Sequence, residues 1–119
     1  MRRIVQDLAQ AEPVGPPMFV GDVLRQNLVA RGDTAFFRIT AVTFQNGARN
    51  KLHHHEVDQV LAVTHGRGIV ATESEELHVG PGDLVFIPAE ERHWHGAEPG
   101  EDFTHLSILT PGAVTIDEE

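Results

Sequence analysis

A chain of 119 residues is about one domain, long enough to bury roughly two-thirds of its unfolded surface. The formal net charge of −9, with a pI near 5.2, argues against nucleic acid, which rewards basic patches, and against an anionic membrane surface. The lack of cysteine excludes a disulfide framework and any thiolate metal site, and fits a reducing compartment.

In chain order, Met1 to Asp7 carries two positive charges, then Gln6 and Asp7 where an export signal would turn apolar. No apolar run approaches the roughly 18 residues of a membrane span, so a cytoplasmic protein is expected. Ile4, Val5 and Leu8 are spaced for one amphipathic helical turn, which Pro13, Pro16 and Pro17 would end. Residues 1–17 therefore read as an N-terminal arm that packs along an edge strand or reaches a partner subunit.

From Met18 the pattern is β throughout. Strands are expected over Phe19 to Val29, Ala35 to Phe44, Leu52 to His55, Gln59 to Thr64, Ile69 to Thr72, Leu84 to Ile87, His93 to Gly96 and Phe103 to Thr110. Turns are expected at Arg31-Gly32-Asp33, at Gln45-Asn46-Gly47 with its Asn-Gly signal, at His65 to Gly68, at Glu73-Ser74-Glu75 and at Gly80 to Asp83. Many short strands without a convincing helix predict an all-β sandwich, barrel or jelly roll over residues 18–112. The segment 113–119, with its Asp117-Glu118-Glu119 end, reads as an acidic, frayed tail.

Eight histidines stand out, strung from His53 to His105. Side chains alternate faces along a strand, so His53 and His55 share one face, about 7 Å apart, and His54 opposes them. Gln59 opens the next strand and brings an amide oxygen alongside. A loop after Pro88 delivers His93 to a separate strand, with His95 on the same face.

These residues resemble the two motifs of the cupin superfamily. The first, G(X)5HXH(X)3–4E(X)6G, is met in every spacing by Gly47, His53, His55, Gln59 and Gly66, with Gln in place of Glu. The second, G(X)5PXG(X)2H(X)3N, is met by Gly82, Pro88 and His93, while Glu90 and Ala97 replace its later Gly and Asn. The resemblance spans about residues 19 to 110 and implies a double-stranded β-helix, often a homodimer. It also implies one divalent metal per chain, held by His53, His55, Gln59 and His93. Three imidazoles and an amide are neutral, so the ion would keep its full charge, which favours Lewis-acid chemistry over redox cycling. Manganese is the metal the resemblance puts first; iron, nickel and zinc also suit nitrogen and oxygen donors.

The string from His93 to Ala97, with Thr104-His105-Leu106, resembles small bacterial cupins that act as manganese-dependent hydroxynitrile lyases. That likeness implies a small carbonyl or hydroxy compound as substrate, with His105 and His95 as proton-transferring residues beside the metal. An oxygen-dependent dioxygenase and a non-catalytic binding or sensor module are the alternatives. Thr40 and Val42 would line the same cavity, and Trp94, facing away, would pack in a core or dimer contact. The Phe-rich strand Ala35 to Phe44 is a candidate for the dimer interface. His54, His65 and His78 are expected to be solvated, Glu56 and Asp58 to lack a ligand role, and Glu73 to Glu76 to form a solvated hairpin tip.

Overall fold

One long strand organises the molecule. In a computed structural model describing residues 1–119, β1 (Glu12–Val14), β2 (Phe19–Val29) and β3 (Arg38–Asn50) open the chain. There follow β4 (His53–His55), β5 (Gln59–Gly66), β6 (Gly68–Ala71), β7 (Glu76–Val79), β8 (Leu84–Ile87), β9 (Trp94–Ala97), β10 (Phe103–Leu109) and β11 (Val114–Ile116). The main sheet runs β7-β6-β9-β3-β10-β5-β8, with β2 also on β3 and β1 on β2. Strand β3 pairs with β2 along nearly its whole length, with β10 over its first part, and meets β9 at Arg49↔Gly96 near its end. It therefore belongs to both layers of a curled, jelly-roll barrel.

The Asn-Gly signal marks the bend that allows this. Asn46 and Gly47 both take positive φ (48° and 75°), yet they form no hairpin turn. They lie inside β3 as a bulge, where the register against β2 jumps between Val20 and Asp22. Gly47 N–H donates to the Glu101 carbonyl and Asn46 N–H to Asp102, so the bulge carries the loop before β10. Gly66, at φ 78°, lies so close to the Asp102 carbonyl that no Cβ fits there.

Alternation sorts the interior into an apolar end and a polar end. On β10, Phe103, His105 and Ser107 face inward; on β5, Gln59, Leu61 and Val63; on β3, Thr40, Val42 and Phe44. Phe44, Phe103 and Leu61 are fully buried among Val23, Val63, Val70 and Ile87, closing one end of the barrel. The polar members of the same strands line the other end.

Both termini are more ordered than the sequence suggests. The arm contains a single 3-10 turn at Leu8–Gln10 rather than a helix from Ile4, and its β1 pairs antiparallel with β2, Glu12 opposite Arg25. The tail does not fray: β11 pairs antiparallel with β4, Val114 opposite His55 and Ile116 opposite His53. Phe44 belongs to the core, while Phe36 and Phe37 are exposed in the loop before β3. No helix is long and apolar enough to cross a membrane.

Candidate metal centre

Three chain segments converge at the open end. Strand β4 presents His53 and His55, and a β-bridge between His53 and His93 brings in the residue before β9. Ligand-competent nitrogens of His53, His55 and His93 all lie within 4.8 Å of one another. The His53 and His93 ring centroids are 4.4 Å apart, those of His53 and His55 5.1 Å. Twist thus brings together rings that a flat strand would hold farther apart.

The tautomers are set by the backbone. His53 Nδ1–H donates to the Lys51 carbonyl at 2.6 Å, and His93 Nδ1–H to the Glu91 carbonyl at 2.8 Å. In each ring this leaves the Nε2 lone pair free, the second partner that orients histidine ligands. Gln59 is oriented similarly: its Nε2 donates to Ser107 Oγ at 2.8 Å. Its Oε1 and the Nε2 of His93 are then buried with no hydrogen-bond partner. Leaving such atoms unmatched costs about 1–3 kcal/mol each, and a cation supplies the missing partner. The donor set therefore fits a divalent metal.

Burial also holds the rings neutral. It is the main cause that lowers His53 to about 3 and His55 to about 4, with the neighbouring His93 charge adding to both. Burial likewise lowers His93, despite the Glu91 carbonyl. Neutral imidazole is the form that binds a metal.

His95 and His105 lie beside this trio. Both are buried, and His105 Nε2 is 2.9 Å from His95 Nδ1, so one ring donates to the other. Burial places His105 at about 4 and His95 well below its ordinary value. Phe44 underlies both, its centroid 5.8 Å from His95 and 5.7 Å from His105. The pair is buried and neutral over an aromatic floor. Asn50, which sequence reasoning missed, fixes it: Oδ1 accepts from His95 N–H at 2.8 Å and Nδ2 lies 3.2 Å from His95 Nε2.

A cavity of about 190 Å³ opens over these groups, and Thr40 and Val42 line it with Met18, Phe19, Arg25 and Ser107. Asn50, Ser107 and Arg25 carry no short-range signal; inward parity on strands already assigned was the one clue to the last two.

The remaining expectations divide. His65 and His78 are exposed, and His78 is raised from its ordinary value by hydrogen bonds to Glu98 and Glu76. His54, expected to be solvated, is instead half-buried with Nδ1 donating to Asp117 at 2.7 Å. Asp58 accepts from Ala89 N–H and Glu56 from Ala113 N–H, so both brace loops. Trp94 is half-buried beneath the Arg49 guanidinium, 4.3 Å from the ring centroid. Glu73 reaches Arg92 across the surface.

A jelly-roll barrel with a largely buried histidine trio at one mouth defines the class: a β-barrel protein built around a potential metal site. The cupin-domain family model matches residues 40–109, more than half of the chain. The protein belongs to the cupin family. It is 41% identical to an (R)-mandelonitrile lyase of Granulicella tundricola, over 84% of this chain and 78% of that one. It is 35% identical to an acireductone dioxygenase of Exiguobacterium sibiricum over 58% of this chain, but spans only 42% of that relative. Among solved structures, a cupin-like protein of Thermotoga maritima matches with TM-score 0.84 and 30% identity, covering 90% of this chain and 84% of that one. The polyketide cyclase RemF of Streptomyces resistomycificus also reaches a TM-score of 0.84, covering all of this chain and 87% of that one; at 21% identity it speaks to the fold alone.

Proposed function

We propose that this protein is a metal-dependent lyase of the hydroxynitrile-cleaving kind, acting on a small hydroxy or carbonyl compound. His53, His55, Gln59 and His93 would hold one divalent ion, manganese foremost. The observation that carries the reading is the pair of buried, partnerless acceptors, Gln59 Oε1 and His93 Nε2, the first on a cavity wall that also holds His53, His55 and the His95–His105 pair. The 41% identity to a mandelonitrile lyase supports it.

When bound, the ion supplies Lewis-acid stabilisation of negative charge developing on a substrate oxygen. The remaining work falls to the chain. His95, with Nδ1 on His105, exchanges the 3.2 Å Asn50 Nδ2 contact at Nε2 for the proton of a substrate hydroxyl as the carbonyl forms and the carbon–carbon bond breaks. The same proton then returns to the departing carbanion, here cyanide. With neither ring charged at neutral pH, the pair starts as a base. Phe44 and Phe103 keep water from the floor.

Metal analysis beside a His53→Ala/His55→Ala variant, with a mandelonitrile cleavage assay, tests this. Near-stoichiometric metal and cleavage, both lost in the variant, are expected. Metal-free protein, or cleavage that survives in the variant, would sink the reading. A dioxygenase is the second reading, favoured by the similarity to acireductone dioxygenase; metal-dependent oxygen consumption would select it.

The reading includes a homodimer in a cytoplasmic setting. Leu84 and Phe86 on β8 are 70% and 64% exposed while Val85 and Ile87 face the core, so this edge strand is apolar on both sides. An outer apolar face of that kind is usually covered. Light scattering that returns a monomer would remove the claim.

A further inference from the structure

The cavity wall contains no carboxylate, although the chain carries 18 acidic residues against 9 basic ones. Its one permanently charged member is Arg25. Arg25 lies opposite Val42 on β3 and shares the inward face of β2 with buried Val23, so strand parity aims it at the barrel mouth. Glu12 pairs with it in register, yet Arg25 is in no salt bridge.

Arg25 and Thr40 also line an adjoining recess of about 250 Å³, together with Arg31 and Arg38. That recess again has no carboxylate. Arg38 points to the same side of β3 as Thr40 and Val42, and its buried Nε has no partner. Three of the chain's nine basic side chains thus gather at one entrance, none of them in a salt bridge and with Glu12 the one carboxylate beside Arg25, on a protein of net charge −9. An acidic protein repels anions in general, so a local basic mouth decides which anions enter. Guanidinium groups match carboxylates in geometry as well as charge.

We propose that the substrate is a small organic anion: a hydroxy or carbonyl compound whose distal carboxylate is held by Arg25 and Arg38 at the mouth, with its reacting end toward the histidines. This rests on reading the cavity as the substrate site. Arg25 and Arg38 are then specificity-determining residues. The volume, about six waters' share of liquid, limits the ligand to a compact molecule.

Calorimetric titration of the full-length protein with 4-formylbenzoate and with the uncharged 4-formylbenzamide tests the proposal. The probes differ in charge at the distal end only. Both the metal-loaded and the chelator-stripped protein are titrated. The acid is expected to bind at least tenfold more tightly than the amide in both forms. Arg25→Gln and Arg38→Gln should each remove most of that preference while leaving amide affinity within about twofold. Arg25 is exposed, so its variant should fold, which a thermal melt checks. Equal binding of acid and amide by the parent, or a preference undiminished in both variants, would overturn the proposal. Preference without any mandelonitrile cleavage would instead remove the lyase reading and leave the anion site standing.

Discussion

Asp117, third residue from the C-terminus, accepts a hydrogen bond of 2.7 Å from His54 Nδ1, tying the tail to the middle of the three-histidine strand. The contact lies on the opposite face of β4 from His53 and His55. Glu118 adds Arg49 and the Leu52 N–H, and β11 supplies the only ladder partner of β4 apart from the His53–His93 bridge. Asp117 is held below the usual carboxylate range, chiefly by the His54 hydrogen bond. The acidic tail is a brace for the candidate metal strand.

Truncation after Gly112 should therefore weaken metal binding while the barrel still folds, since β11 contributes no residue to the apolar core. Asp117→Asn, which removes the charge that His54 faces, should shift both readings in the same direction by less than the truncation. Competition titration with a chromogenic chelator, beside a thermal melt, measures both. Unchanged affinity in the truncated chain would show that the bridge to His93 suffices.

The metal-free protein should lose stability on mild acidification. The folded His105 is lowered to about 4, against an ordinary value of 6.5, because it is buried. An unfolded chain binds the proton first, so the contribution is whole above pH 6.5 and is lost as pH falls to about 4. That difference amounts to about 3 kcal/mol at most. Denaturant midpoints at pH 7 and pH 4 should differ less in His105→Gln than in the parent.

Glu90 stands where the second motif has glycine, and its φ is 73°. The left-handed conformation costs a residue with a Cβ about 1 kcal/mol. Its N–H donates to the His55 carbonyl at 2.8 Å, which fixes the backbone there. Glu90→Gly should keep that bond and stabilise the protein by about 0.5–1 kcal/mol, net of glycine's larger unfolded entropy. Glu90→Val should destabilise it by more. Thermal melts of the two variants decide the sign.

Replacing Gln59 by glutamate restores the commoner motif residue and puts a buried charge beside Ser107. The metal-free variant should melt below the parent, because an unpaired buried carboxylate is expensive. Metal affinity should rise and cleavage fall, since a carboxylate ligand reduces the ion's effective charge. Equal cleavage by both forms would show that the neutral donor set is irrelevant to rate.

The parity of β-strands made much of this site readable from sequence. His53 and His55 had to share a face, His54 had to oppose them, and Gly47 and Gly66 fell at the spacings where positive φ is needed. Inward placement of His95 also followed from parity with His93, whereas His105 was singled out by the family resemblance alone.

Pairing between distant segments decided the rest. Asn46-Gly47 has the composition of a hairpin turn, and only the loop at Glu101 and Asp102 makes it a bulge inside a longer strand. The tail is acidic and short, so its local energetics favour fraying; pairing with β4, 59 or more residues earlier, holds it in place. Asn50, Ser107 and the arginines at the mouth join the site because closure of the barrel brings their strands together. Alternation fixes which face a residue occupies, whereas its neighbours on that face depend on register and curvature set by the whole sheet.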